Sequence, residues 1–157
     1  MKENNKYISK KAKIHSSVSI GPYCVIGDNV EIDENCKIYS HVSILGNTKI
    51  GKNNTFYPFS SIGSEPQDLK YEGEKSFLVI GNSNTFRENV TANPGTDGGG
   101  LFTRIKDNCL FMVGCHIAHD CFIGSNVILA NNATLAGHVE IDNNSIIGGN
   151  SAIHQFV

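Results

Sequence analysis

A chain of 157 residues, 39% of them hydrophobic and 16 of them glycine, suits one domain with a core of its own. Thirteen Lys and Arg against 15 Asp and Glu give a net charge of −2, which lends no support to nucleic-acid binding through a broad basic surface. No stretch approaches the roughly 18 apolar residues of a membrane span, and Met1 to Tyr7 is polar, so a cytoplasmic protein is expected.

From the N-terminus onward a large side chain falls on every sixth position: Ile8, Ile14, Ile20, Ile26, Ile32, Ile38, Ile44, Ile50, Phe56 and Ile62. Two residues before each large one stands a smaller residue, among them Val18, Cys24, Val30, Cys36, Val42 and Ser60. A period of six fits neither a helix at 3.6 nor a long strand at 2.0, but it does fit a short strand followed by a corner. Strand alternation points the large and the smaller residue inward together. The expected fold is all-β: a left-handed parallel β-helix, a triangular prism with three hexads per 18-residue coil. Its hand is taken from known hexapeptide folds. Corners need left-handed backbone, which glycine and asparagine tolerate, and Ile26-Gly27-Asp28-Asn29 and Ile123-Gly124-Ser125-Asn126 read as such corners. Asn54 is the polar misfit among the inward positions; it either joins a ladder with neighbouring coils or sits at an opened corner.

The repeat breaks twice. A charged excursion spans about residues 63–79, the phase returns at Ile80, Phe86 and Ala92, and a glycine-rich excursion spans about 93–104. Charged loops on a rigid scaffold are where binding residues tend to sit. Gly98, Gly99 and Gly100 lack the lysine and following helix of a phosphate-binding loop, so a flexible tip is expected there. The repeat then runs unbroken through Ile105, Phe111, Ile117, Ile123, Leu129, Leu135, Ile141, Ile147 and Ile153, which makes about seven coils in a single domain, 1–157. It is still in phase at Val157, so either something pairs with the last coil or a longer polypeptide has been shortened.

All five cysteines, Cys24, Cys36, Cys109, Cys115 and Cys121, occupy the smaller inward position and read as core residues in a reducing compartment, with no disulfide framework. Four histidines, His116, His119, His138 and His154, gather in the second half. His119 and His138 are one coil plus one residue apart, hence near the same edge on adjacent coils. In His116-Ile117-Ala118-His119-Asp120, Ile117 points inward and His119 and Asp120 occupy the corner. A carboxylate beside an imidazole fixes its tautomer and stabilises the imidazolium, as a general base requires. Spacing alone leaves open a solvent-exposed histidine next to a corner aspartate. Three imidazoles could also ligate zinc, but the five-residue ligand spacing of the trimeric β-helical carbonic anhydrases is absent, and no metal site is expected.

Several segments are more specific than the bare repeat: Gln67-Asp68-Leu69-Lys70-Tyr71, His116-Ile117-Ala118-His119-Asp120-Cys121, Leu129 to Val139 with Gly137-His138, and Ile147-Gly148-Gly149 to His154-Gln155-Phe156. Together they make the sequence resemble, over nearly all its length, the UDP-N-acetylglucosamine O-acyltransferases that begin lipid A biosynthesis in Gram-negative bacteria. The resemblance implies transfer of an (R)-3-hydroxyacyl group from acyl carrier protein to the sugar 3-hydroxyl, with no cofactor beyond the phosphopantetheine that carries the donor. It implies His119 as general base, Asp120 as its orienting partner and the Gly137 N–H facing the thioester oxygen. Gln67, Asp68, Lys70, His116, His138, His154 and Gln155 would bind substrate. A homotrimer is implied, with clefts between neighbouring prisms that let a loop of one subunit reach the histidines of the next. Asn93 and Pro94 stand where the family usually carries a basic pair, and the family's further coils and C-terminal helical domain are absent from this sequence.

Overall fold

The computed structural model describes residues 5–157, and in it 22 short strands wind into a left-handed parallel β-helix. They form three flat faces. The first has eight strands, from Tyr7–Ile8 to Ala152–Ile153; the second has seven, from Lys13–Ile14 to Glu140–Ile141; the third has seven, from Ser19–Ile20 to Ile146–Ile147. Every strand pairs in parallel with its neighbours one coil away, as in Ile8 with Ile26 and Ile117 with Leu135.

The large hexad residues fill the interior. Phe56, Phe86 and Phe111 are fully buried and stacked one per coil, ring centroids 4.8 Å apart at both steps, which is the spacing of hydrogen-bonded strands. Burying each such side chain contributes about 1.5–3 kcal/mol. The only helical element among the described residues is a single 3-10 turn, Asp97–Gly99.

The smaller inward position has a second task that explains its mixed chemistry. Each cysteine thiol there donates to a corner carbonyl of the following coil: Cys24 to Tyr39 (2.9 Å), Cys36 to Gly51 (3.1 Å), Cys109 to Gly124 (3.1 Å), Cys115 to Ala130 (3.1 Å) and Cys121 to Ala136 (3.2 Å). All five are free and buried, and burial raises every one of these thiols, Cys121 to about 11. Asn54 does the same work and joins a ladder. Its Nδ2 donates to the Gly51 and Gly81 carbonyls, its Oδ1 accepts from the Asn84 N–H, and Asn84 repeats the pattern with the Lys106 carbonyl and the Cys109 N–H, both at 2.8 Å. Asn84→Ala leaves the buried Cys109 N–H and the part-buried Lys106 carbonyl without these partners, and it is expected to lower stability by about 1–3 kcal/mol. Urea denaturation of the two proteins checks this; an unchanged midpoint would contradict it.

Corner chemistry differs from expectation in one respect. Positive φ falls on the third residue after the large one, as at Asn126 (60°), Asn132 (59°) and Asn144 (63°), whereas Gly27 and Gly124, directly after the large residue, are not left-handed. Gly124 is required by close stacking instead: a Cβ there would meet the Asn143 nitrogen of the next coil at 2.6 Å. In Ile26-Gly27-Asp28-Asn29 no residue takes positive φ; this corner is held by Ser9 Oγ and Lys11 Nζ, which donate to the Asp28 carboxylate at 2.6 and 2.8 Å.

Both excursions leave the same edge, between the first and second faces, on successive coils. They are shorter than the sequence indicates, because the chain rejoins the second face at Phe77 and Phe102 in four-residue strands paired with Asn47–Ile50 and with each other. Leu78 and Thr103 already point inward there, fully buried. No helix among the described residues is long and apolar enough to cross a membrane.

Candidate active site

Along the edge that carries the excursions, Asp120 and His138 occupy the left-handed corner position that asparagine fills elsewhere, with φ of 60° and 62°. Asp, Asn and His are the non-glycine residues that accept this conformation most readily. Stacking of coils brings Asp120, His138 and Phe156 into one column: the His138 and Phe156 rings lie parallel at 4.6 Å, and the His119 ring meets His138 edge-on at 5.1 Å.

His119 Nδ1 lies 2.7 Å from Asp120 Oδ2. The Asp120 side chain is 1% exposed and that of His119 14% exposed, so solvent reaches the imidazole but not its partner. Asp120 is further fixed by Thr96, whose N–H donates to Oδ1 (2.9 Å) and whose hydroxyl donates to Oδ2 (2.6 Å), while its own N–H donates to Thr103 Oγ1 (2.8 Å). A carboxylate so placed accepts from Nδ1–H and leaves the Nε2 lone pair of His119 facing outward. Asp68 Oδ2 lies 3.9 Å from that Nε2, and His138 Nε2 lies 3.9 Å from Asp120 Oδ2.

Glycine is obligatory at two of these contacts. A Cβ on Gly137 would meet His119 Cε1 and Nε2 at 2.4 and 2.6 Å, and one on Gly99 would fall 2.0 Å from the Asp120 carboxyl carbon. The Gly137 N–H stands between two amides that are engaged, Ala136 to Ile153 and His138 to His119. Gly99 thus closes a strap over the aspartate, which corrects the expectation of a free glycine-rich tip.

The structure brings His119, Asp120, Gly137, His138 and Asp68 together. Asp68 approaches the His119 of its own chain, because the loop that carries it folds back over the edge from which it leaves. The Lys70 N–H (3.0 Å) holds the Asp68 carboxyl below the usual carboxylate range, and the nearby Lys70 charge adds to this. His116 points outward from the first face with Nδ1 2.7 Å from Thr91 Oγ1, and burial, with His119 nearby, pushes its pKa down. Gln67 and Lys70 are exposed on the loop, and His154 and Gln155 are exposed on the last coil, His154 Nδ1 3.3 Å from the Gln155 carbonyl oxygen. Asn93 is buried and ties the two excursions, its amide donating to the Ser64 and Glu65 carbonyls at 2.9 and 3.1 Å.

A groove of about 480 Å³ opens beside Asp120, His138, Glu140 and Phe156. A basic groove of about 450 Å³ near the N-terminus holds no histidine, and its Lys11 and Lys13 are already paired with Asp28 and Glu31. His119, Asp120 and His138 bring ligand atoms within 4.8 Å of one another, but Asp120 already accepts from three donors, which leaves it poorly disposed to a metal.

Sequence reasoning missed Thr96, Thr103 and Gly99, which lie in or just after an excursion where the period is silent. It also passed over Phe156 as a site residue, although its place one coil after His138 was a usable signal.

A hexapeptide prism with a histidine–aspartate pair on one edge defines a class, the hexapeptide-repeat transferases. Residues 11–46, 102–137 and 120–155 match the bacterial transferase hexapeptide family (six repeats). The acyl-[acyl-carrier-protein]--UDP-N-acetylglucosamine O-acyltransferase of Rickettsia peacockii is 52% identical over 114 residues, 73% of this chain and 43% of the relative. A solved UDP-N-acetylglucosamine acyltransferase superposes with a TM-score of 0.97 at 51% identity, covering 98% of this chain and 60% of that one. LpxA from Acinetobacter baumannii gives 0.96 at 47% identity, with the same coverage. The chain belongs to the UDP-N-acetylglucosamine O-acyltransferase family of hexapeptide-repeat proteins. It spans less than half the length of the Rickettsia relative and about 60% of the two solved chains.

Proposed function

We propose that this chain transfers a 3-hydroxyacyl group from acyl carrier protein to the 3-hydroxyl of UDP-N-acetylglucosamine, the first step of lipid A biosynthesis. The carrying observation is the 2.7 Å contact between His119 Nδ1 and the sealed carboxylate of Asp120, with Nε2 left free at an open edge. Nε2 takes the proton of the sugar hydroxyl as its oxygen attacks the thioester carbonyl carbon. The oxyanion that forms is met by the Gly137 N–H. Its collapse breaks the carbon–sulfur bond, and the departing phosphopantetheine thiolate takes the proton back from the imidazolium. A positioned histidine base is typically worth about 10² to 10⁴ in rate and one oxyanion donor about 10² to 10³. No further cofactor is required.

Asp68, Lys70, Gln67, His116, His138, His154 and Gln155 are our candidates for holding the sugar nucleotide. All lie on or beside the first face and the edge that follows it. We place the protein in a homotrimer in the cytoplasm, in keeping with its hexapeptide relatives and with five unpaired buried thiols.

The test is direct. The purified chain, given 3-hydroxyacyl carrier protein and UDP-N-acetylglucosamine, is expected to yield the 3-O-acylated nucleotide by mass spectrometry. Absence of product from folded protein, or equal use of acetyl coenzyme A, would overturn the assignment.

A further inference from the structure

We propose that Thr96 is a positioning residue, which sets the tautomer and the plane of His119 by holding both oxygens of Asp120. The activity arm of the test rests on the acyltransferase reading above; the structural arm does not.

Asp120 has two oxygens and accepts from three donors. Oδ1 takes the Thr96 N–H, while Oδ2 takes the Thr96 hydroxyl at 2.6 Å and His119 Nδ1 at 2.7 Å. With the carboxylate 1% exposed, water does not supply a substitute donor. A main-chain amide can only donate, so it pins Oδ1 as an acceptor. The hydroxyl then stops the carboxylate from turning about its terminal bond, and Oδ2 stays aimed at Nδ1. A fixed acceptor at Nδ1 keeps the proton there and the lone pair on Nε2, the atom at the open edge.

The strap that presents Thr96 is itself built to stay put. Its carbonyl accepts from the Leu101 N–H (2.8 Å), the next N–H, that of Asp97, donates to Glu74 Oε1 of the first excursion (3.0 Å), and Asn93 fastens the start of the strap to Ser64 and Glu65. Gly99 lets the strap close against Asp120 where any side chain would collide. Thr96 is itself 5% exposed, and it lies 24 residues before its partner, outside the repeat.

The experiment compares wild type, Thr96→Val and Thr96→Ser. Valine keeps the shape and the main-chain donor but removes the hydroxyl; serine keeps the hydroxyl. Proton and nitrogen NMR of the histidine-labelled chain is expected to show a hydrogen-bonded Nδ1–H on His119 in wild type and Thr96→Ser, and its loss or marked upfield movement in Thr96→Val. In turnover, Thr96→Val is expected to lower kcat about tenfold with KM for both substrates within about twofold, and serine to restore it. Should valine prevent folding, Thr96→Ala removes the hydroxyl without crowding. An unchanged Nδ1–H signal in the hydroxyl-free variant, a wild-type His119 protonated on Nε2 instead, or a serine variant that behaves like valine would overturn the proposal. A wild-type chain with the expected NMR pattern and no acyl transfer would sink the reaction assignment and leave the role of Thr96 standing.

Discussion

Replacing His119 with alanine is expected to lower kcat by about 10³, within the span a positioned base contributes, while leaving thermal stability close to wild type. The ring is partly open to solvent and lies on the outside of the prism, so its loss empties no part of the core. His138 cannot take over. Its Nε2 is 3.9 Å from Asp120 Oδ2, and its ring is held against Phe156, so it has no partner that fixes a tautomer as Asp120 does for His119. Single-turnover measurement with carrier-bound donor checks this. A His119→Ala protein that retained most of its rate would remove His119 from the mechanism altogether.

Asp120→Asn is expected to cost as much or more, about 10⁴ in kcat, with the overall shape of the site preserved. A tenthousandfold loss follows the same exchange in serine proteases, where it fixes the wrong histidine tautomer. Here the direction can be derived. The Thr96 N–H demands an oxygen at the Oδ1 position, so the asparagine amide nitrogen takes the Oδ2 position and turns its protons on His119 Nδ1. Nδ1 then becomes the acceptor, the ring proton moves to Nε2, and the free lone pair at the open edge is gone. Because the amide is also forced to face the Thr96 hydroxyl, that hydroxyl must turn and accept. Kinetics and the NMR tautomer should change together; a fall in rate with the tautomer unchanged would point to a different function for the carboxylate.

The prism was legible in the sequence because its rule is local. A large residue every sixth place, with a smaller one two places before it, is enough to set strands, faces and coils, and each isoleucine from Ile26 to Ile50 is buried where the period puts it. The cysteines illustrate a limit of that rule. Their position was evident, but not their thiol contacts to the carbonyls of the next coil, since those depend on which corner carbonyl the winding brings against each thiol. Asn54 resolved into a ladder for the same reason: its partners, Gly81 and Asn84, lie across an insertion whose length had to be known first.

The His119–Asp120 pair was visible as adjacent residues at a corner, and the link to His138 followed from coil spacing. What surrounds the pair was not. Thr96 and Gly99 reach Asp120 only because the second excursion folds back over the edge from which it leaves, and Asp68 comes to face His119 because the first does the same. Such contacts are fixed by the shape of an aperiodic segment, about which a repeat carries no information. The corner glycines mark an intermediate case: their identity suggested torsional freedom, while the physical requirement at Gly124 is room for the Asn143 amide.

That both insertions spring from one ridge of the prism, leaving the other two ridges at regular six-residue spacing, has a consequence for tolerance to change. Substitutions along the unbroken ridges and interior rows should register as altered folding free energy, and those along the decorated ridge as altered turnover. Each layer leans only on the layers above and below it, so the two kinds of defect should combine almost additively unless they share a coil. The architecture therefore separates what keeps the molecule upright from what lets it react, and places the second along a single line.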